Sequence, residues 1–319
     1  MEINSKNTKR WSVLGPRATY GNEMLDLVEK NENVYALSGD LGVSSGLSRL
    51  MSAHPDRFLN AGIAEQNMIG VSAGLAKEGL IPFASSFAPF ITHRCADQVR
   101  MNMGYMHLNI KTVALGSGIS MGISGNSHYG LDDLSFMRAI PGMTILSPCD
   151  CTELVKCINF AADYVGPVYI RMTGEAGMPR VYEDDFEYEM GKAIKLTEGE
   201  DVVIIATGSM VHYSLGAAQI LKDCGISATV YDMHTIKPLD ESVLEGISSK
   251  CKMIFTVEEH SIIGGLGSAI TQLAAGRDDL PRVKCIGLPE SYLISGQYPF
   301  MLETYGLTAE KIAESIKVI

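Results

Sequence analysis

Short, mainly apolar runs recur along this chain at intervals filled by helix-length segments. That alternation limits the folds open to it more than any other feature. The first five runs are residues 34–38 (VYALS), 81–85 (IPFAS), 110–115 (IKTVAL), 144–147 (TILS) and 168–171 (VYIR). Around them, segments 20–30, 65–77, 90–103, 131–140 and 151–162 read as helices, the first with Met24, Leu25 and Val28 on one face. Strands and helices of this length in alternation build a mostly parallel sheet covered on both faces. Residues 172–192 break the rhythm with Pro179 and the acidic stretch EDDFEYE (183–189). Alternation resumes with strands at 201–206, 228–231 and 253–257 and helices at 211–224, 242–249 and 267–275. The expectation is an α/β protein of two doubly wound domains. A parallel-sheet domain spans 1–175, a solvated linker 176–192 and a smaller α/β domain 193–319, with residues 1–11 as a loose arm.

Composition narrows the function classes. At ~150 residues per domain, 319 residues allow two domains. A formal charge of -11 without any basic run argues against nucleic acid or an acidic membrane surface as partner. No run reaches the ~18 apolar residues that would span a bilayer, and residues 1–11 have no apolar signal-peptide core. The seven cysteines are odd in number and form no CxxC pair, so neither a zinc site nor a disulfide framework is indicated. A reducing cytoplasm is the expected location.

Glu65 is the residue with the clearest chemical character. It is the only charge between Arg57 and Lys77, within FLNAGIAEQNM (58–68), where a loop turns into a helix that Gly79 closes. Read alone, it is either a first-turn acid complementing the helix dipole or a buried acid kept for chemistry. Open parallel sheets place their sites beyond the strand C-termini. Three blocks can converge there: SGDLGVS (38–44); Glu65 with SSFAPFITH (85–93); and the glycine-rich loop 116–130 with His128. Thr207-Gly208-Ser209 and Gly264-Gly265-Leu266-Gly267 are candidate phosphate cradles at helix starts, but neither completes a dinucleotide fingerprint, and both read as tight strand-to-helix turns.

These blocks resemble the pyrimidine-binding and C-terminal domains of transketolases, and specifically the C-terminal subunit of a split transketolase, from about Arg17 to the end. FLNAGIAEQNM is similar to the family's glutamate block. Ser127-His128 with Leu134, Arg138, Ile140 and Pro141 resembles a second block, and Val257-Glu258-Glu259-His260 with the 264–267 glycines resembles the third domain. The resemblance implies thiamine diphosphate as cofactor. Glu65 would hydrogen-bond N1′ of its aminopyrimidine and favour the imino form that removes the thiazolium C2 proton, and a dry interface would let the carboxyl keep its own proton at neutral pH. Phe87 and Phe90, core aromatics on their own reading, fall where the family stacks the pyrimidine. His93 stands in place of the usual Tyr, as a pocket residue or a helix-surface one. Asp40, otherwise a turn acid after a strand, matches an aspartate near the thiazolium and substrate. Catalytic roles thus fall on Glu65 and His128, cofactor binding on Asp40, Glu65, Phe87, Phe90 and His93.

On the substrate side, Arg17, Ser44 and Arg171 match three of the family's sugar-phosphate ligands, since an Arg fork suits phosphate, and His128 can hydrogen-bond or protonate a substrate oxygen. Two positions depart from the pattern: Gly116 replaces a His, and Ser124 replaces the acid that recognises a sugar hydroxyl. They bear on which sugar reacts and on whether it needs a phosphate. The chain has no Gly-Asp-Gly block followed some thirty residues on by Asn, so no metal ligands are assigned to it. The resemblance implies a separate N-terminal subunit that holds the diphosphate and Mg2+ (or Ca2+), an α2β2 assembly, and an inactive, homodimeric state for this chain alone. The implied reaction transfers a two-carbon ketol unit from a ketose to an aldose, phosphorylated or not. A 2-oxoacid dehydrogenase β subunit, a deoxyxylulose-phosphate synthase-like enzyme and a catalytically silent regulatory subunit are the alternatives.

Overall fold

The computed structural model describes residues 1–247 and 249–318. Seven strands form the first sheet: β1 (Val34–Ser38), β2 (Phe58–Asn60), β3 (Ile81–Phe87), β4 (Lys111–Leu115), β5 (Thr144–Leu146), β6 (Val168–Arg171) and, from much later in the chain, β10 (Thr235–Lys237). The second sheet holds β7 (Ile194–Thr197), β8 (Val202–Ala206), β9 (Ala228–Asp232), β11 (Met253–Ser261) and β12 (Val283–Leu288). The strand orders are β10-β5-β6-β4-β3-β1-β2 and β12-β11-β8-β9-β7. Every pairing is parallel except β10 on β5 and β7 on β9. The expected class, two α/β units with mainly parallel sheets, is what the chain adopts.

Helices cover both faces of the first sheet because their apolar residues recur at helical spacing. Tyr20, Met24 and Leu27 of Pro16–Lys30 and Leu154, Ile158 and Ala161 of Cys151–Asp163 pack on one face. Met68 and Ile69 of Glu65–Lys77 and Leu134 and Met137 of Asp133–Ala139 belong to another core, which continues into Val203, Ile205, Ile254 and Leu266 of the second unit. One apolar core therefore runs through both halves.

Four expectations need correction. The loose arm is a helix, Ser5–Leu14, because the Asn4 side chain caps it and Trp11 is buried beside Cys151 and Val155. The linker keeps its acids exposed but is also docked: Asp150 accepts the N–H groups of Val181 and Tyr182 at 2.8 and 2.9 Å while also capping the Cys151–Asp163 helix, and Tyr182 stacks on Phe186. The helix expected over 90–103 breaks into short turns, Ala88–Ile91 and Ala96–Gln98, followed by a π-helical segment, Val99–Tyr105. Of the helix expected over 242–249, only the 3-10 turn Glu241–Leu244 forms; Ser248 lies outside the described residues. No described helix is long and apolar enough to cross a membrane.

Where the two halves meet, Cys149, Glu153 and Asp232 bring a sulfur and two carboxylates within 4.8 Å of one another, all buried. Tyr182 donates to Asp232 at 2.8 Å, but one oxygen of each acid has no partner. Burial pushes both carboxyls up, Asp232 to about 7, so the pair holds a proton. An unfolded Asp titrates near 3.8. The folded state therefore binds this proton more tightly, and its contribution, complete in acid, is lost as pH rises through 7. Removing the charge by Asp232→Asn should stabilise the chain by ~1–3 kcal/mol more at pH 9 than at pH 6. Urea unfolding of both proteins at the two pH values measures this, and a pH-independent difference would refute the shared proton.

Candidate active site

The C-terminal ends of β1, β2, β3 and β4 lie side by side, and the loops beyond them carry most of the predicted residues. Beyond β1 the chain turns sharply at Asp40, whose φ is +63°. Asn60, at the end of β2, brackets this turn. Its Oδ1 accepts the N–H groups of Asp40 and Gly62 at 3.1 and 2.9 Å, and its Nδ2 donates to Asp40 Oδ1 at 2.9 Å. Asp40 is thus exposed yet oriented, a positioning role for Asn60 that sequence reading did not assign.

Glu65 opens its helix and is only 2% exposed. Gly39 makes this approach feasible, since a Cβ there would stand 3.1 Å from Glu65 Cγ. Ser86 Oγ donates to Glu65 Oε1 at 3.5 Å. Sequence reading leaves Glu65 as a lone acid; the structure pairs it with Arg94, whose Nη1 lies 2.9 Å from both carboxylate oxygens. The Arg94 guanidinium also lies over the Phe90 ring, 3.9 Å from its centroid. Nothing in the local pattern at 93–94 signals this pair, because its members are 29 residues apart.

Phe87, Phe90 and His128 come together as a three-way edge-to-face cluster, with ring centroids 5.4–5.9 Å apart. The glycine-rich loop brings His128 to this corner. At Gly116, φ is +61° and a Cβ would fall 2.4 Å from Met121 Sδ, so Met121 fills the space where the family pattern has an imidazole. At Gly118 a Cβ would sit 2.2 Å from Glu259 Oε1. Glu259 accepts the Ile119 N–H at 2.7 Å and the hydroxyls of Ser209 and Tyr298 at 2.6 Å each, which ties the loop to the second unit. Ser124 is exposed on the outer turn of the loop.

Arg17 is exposed in the first turn of its helix, and no described residue pairs with its guanidinium. A Cβ at Gly46 would meet the Arg17 carbonyl, so the loop carrying exposed Ser44 packs against that turn. His93 does not join the aromatic corner. Its Nε2 faces Asp132 at 3.2 Å, which raises the imidazole pKa, and its ring neighbours Phe136.

Arg171 is a correction. The family pattern puts it at a substrate phosphate, but it is 1% exposed and its Nε and Nη2 donors are taken inside the protein. Nε donates to Asp133 at 2.8 Å; Nη2 donates to Asp133 and to the Gly130 and Glu259 carbonyls at 3.1, 3.2 and 2.9 Å. Tyr169 adds a third donor to Asp133 at 2.6 Å. Neighbouring His260 accepts the Leu134 N–H through Nε2 while Nδ1 faces the Ser261 carbonyl; burial pushes its pKa down to about 4, as a neutral imidazole requires.

Neither candidate phosphate cradle is open. Glu258 accepts the N–H groups of Leu266 and Gly267 at 2.7 and 2.8 Å, so the protein's own carboxylate caps that helix. At Ser209 the N–H is taken by Thr173 Oγ1.

Two family models match the chain: "Transketolase, pyrimidine binding domain" over residues 14–178 and "Transketolase, C-terminal domain" over 191–312. A 6-deoxy-6-sulfo-D-fructose transketolase subunit, SqwH, of Clostridium sp. (strain MSTE9) is 38% identical over 94% of this chain and 92% of its own length. A subunit of the apulose-4-phosphate transketolase of Phocaeicola vulgatus is 35% identical over 95% of this chain and 97% of its own. Among solved structures, one described as "Split gene transketolase, inactive beta4 tetramer" superposes with a TM-score of 0.86 at 37% identity, covering 95% of this chain and 97% of that one. With the buried glutamate at the strand ends and the aromatic corner beside it, these matches establish that the chain belongs to the transketolase family and carries its pyrimidine-binding and C-terminal domains.

Proposed function

We propose that this chain is the C-terminal subunit of a two-chain, thiamine diphosphate-dependent transketolase that moves a two-carbon ketol unit from a ketose to an aldose. The observation that carries the reading is the buried carboxylate of Glu65 at the strand C-termini, next to the Phe87, Phe90 and His128 rings. A flat apolar wall beside a carboxylate fits the aminopyrimidine of the cofactor, which offers a flat face and polar ring edges. When bound, thiamine diphosphate supplies the thiazolium carbon that carries the two-carbon unit.

In this reading Glu65 holds N1′ and keeps a proton at that atom, Phe87 and Phe90 line the ring, and Asp40, fixed by Asn60, faces the reacting end. His128 donates to or accepts from a substrate oxygen. Arg17, an exposed cation near Ser44 with no partner among the described residues, is the proposed anchor for a terminal anion, phosphate or sulfonate. Arg171, buried against its internal partners, is assigned no such role in this reading. The small Gly116 and apolar Met121 in place of an imidazole leave the sugar end with fewer donors. Diphosphate and Mg2+ (or Ca2+) fall to a partner subunit of ~270 residues, one α/β domain with additions. An α2β2 assembly in the cytoplasm follows from the same reading. The relative described as an inactive β4 tetramer supports the need for that partner, and for the isolated chain favours assembly beyond the homodimer expected from sequence.

The test is to mix this chain with a partner chain carrying the diphosphate domain and to follow ketose–aldose exchange across phosphorylated, sulfonated and neutral ketoses. Exchange by the mixture, with neither chain active alone, is the expected result. Carbon dioxide release from pyruvate without exchange would transfer the reading to a 2-oxoacid dehydrogenase, and normal turnover by the isolated chain would overturn the split enzyme. Cofactor binding without any turnover would mark a silent subunit.

A further inference from the structure

Arg94 makes two contacts at once that are distinctive as a pair. One guanidinium nitrogen lies 2.9 Å from both oxygens of Glu65, and the guanidinium lies over the Phe90 ring, 3.9 Å from its centroid. A planar cation that offers N–H donors to a carboxylate and a face to an aromatic ring satisfies the same groups as a flat heterocycle with a polar edge. Arg94 is 44% exposed while Glu65 is 2% exposed, so the side chain crosses Glu65 from the solvent side. Its main chain is held in place, since Gln66 Nε2 donates to the Arg94 carbonyl at 3.0 Å. It sits between the short turns Ala88–Ile91 and Ala96–Gln98 rather than within a continuous helix. The backbone can therefore stay fixed while the long side chain leaves by rotation of its own bonds.

We propose that Arg94 is an internal ligand of the pyrimidine pocket. In the cofactor-free chain its guanidinium occupies the position between Glu65 and Phe90, and the aminopyrimidine of thiamine diphosphate must displace it to bind. The inference rests on the functional reading above and adds a competitor to it. The arrangement has a physical purpose. Without a cation, a buried carboxylate at the strand C-termini would lack compensation for its lost hydration, and Arg94 supplies that compensation until the cofactor arrives. Every cofactor molecule must then break an ion pair and a cation–π contact, which weakens apparent affinity and delays loading. The same displacement leaves Ser86 Oγ beside Glu65 and frees the carboxylate for the polar edge of the aminopyrimidine.

The experiment is calorimetric titration of thiamine diphosphate with Mg2+ into the mixed subunits, for wild type, Arg94→Met and Arg94→Lys. Methionine keeps the stem and removes the guanidinium; lysine keeps the charge but loses the flat face and the fork. The expected result is roughly tenfold tighter binding for Arg94→Met, with Arg94→Lys in between. Melting of the chain without cofactor gives a second readout: Arg94→Met should melt lower than wild type, because Glu65 loses its counterion. Unchanged or weaker cofactor binding by Arg94→Met overturns the proposal, since a group that holds the cofactor in place would give that outcome. If wild-type mixed subunits bind no thiamine diphosphate at all, the functional reading fails instead, and the two failures are told apart by the wild-type titration alone.

Discussion

A Glu65→Gln chain assembled with its partner is expected to lose roughly 10²- to 10⁴-fold in ketol transfer while remaining folded. Glutamine keeps the shape and one acceptor oxygen. It can still accept from Ser86 Oγ and from Arg94, so the start of the Glu65–Lys77 helix and the close approach of Gly39 survive. What it cannot do is hold or exchange a proton at the atom facing the aminopyrimidine. Substrate binding draws on Arg17, Ser44 and His128 and should move little. The signature is therefore a fall in kcat with a nearly constant KM, measured by ketose–aldose exchange on protein whose circular dichroism and melting match wild type. Full activity in this variant would remove Glu65 from the mechanism and with it the central assignment.

The largest stability effect is expected at a residue that touches no ligand. Arg171→Met should cost ~3–5 kcal/mol in urea unfolding, because it strands Asp133 as a fully buried carboxylate with only the Tyr169 hydroxyl and the surrounding dipoles to offset it. The same change frees the Gly130 and Glu259 carbonyls, which lie on either side of the domain junction. The glycine-rich loop ends at Gly130, so His128 should loosen as well and cofactor affinity should fall as a secondary effect. A double variant, Arg171→Met with Asp133→Leu, removes both charges together and should recover more than half of the loss. If the single variant proved as stable as wild type, the buried pair would not be what joins the halves.

The strands show what sequence can and cannot carry. The eight read from apolar runs are the interior strands, buried on both faces, where apolar residues predominate: all five residues of Val202–Ala206 are buried. The other four, β2, β7, β10 and β12, are the four sheet edges. Exposed positions interrupt them, as at Leu59, Asn60, Lys195 and Lys284, and the run disappears. Site residues divide in the same way. Glu65, Phe87, Phe90 and His128 were legible because a family pattern fixes them. Arg94 and the true partners of Arg171 were not, because each depends on a pairing 29 or 38 residues away along the chain. A buried arginine and a ligand-binding arginine also look alike in a string of letters. The opening helix stayed hidden because Trp11 and Thr8 are its only buried residues.

Strand β10 has one more consequence. It leaves the second half of the chain to close an edge of the first sheet, pairing Thr235 with Leu146 and Lys237 with Ile145. The two halves are thus interleaved rather than strung in series, and a cut between them would not yield two working modules. A protease nick or a gene break within 176–192 would leave the first half with the backbone of Thr144–Leu146 uncovered, a template for sticking to any passing strand. Of the possible places to divide a transketolase into separate polypeptides, the boundary between these two domains is the one this architecture makes hazardous, and the pair can be expected to travel through evolution as a single inherited unit.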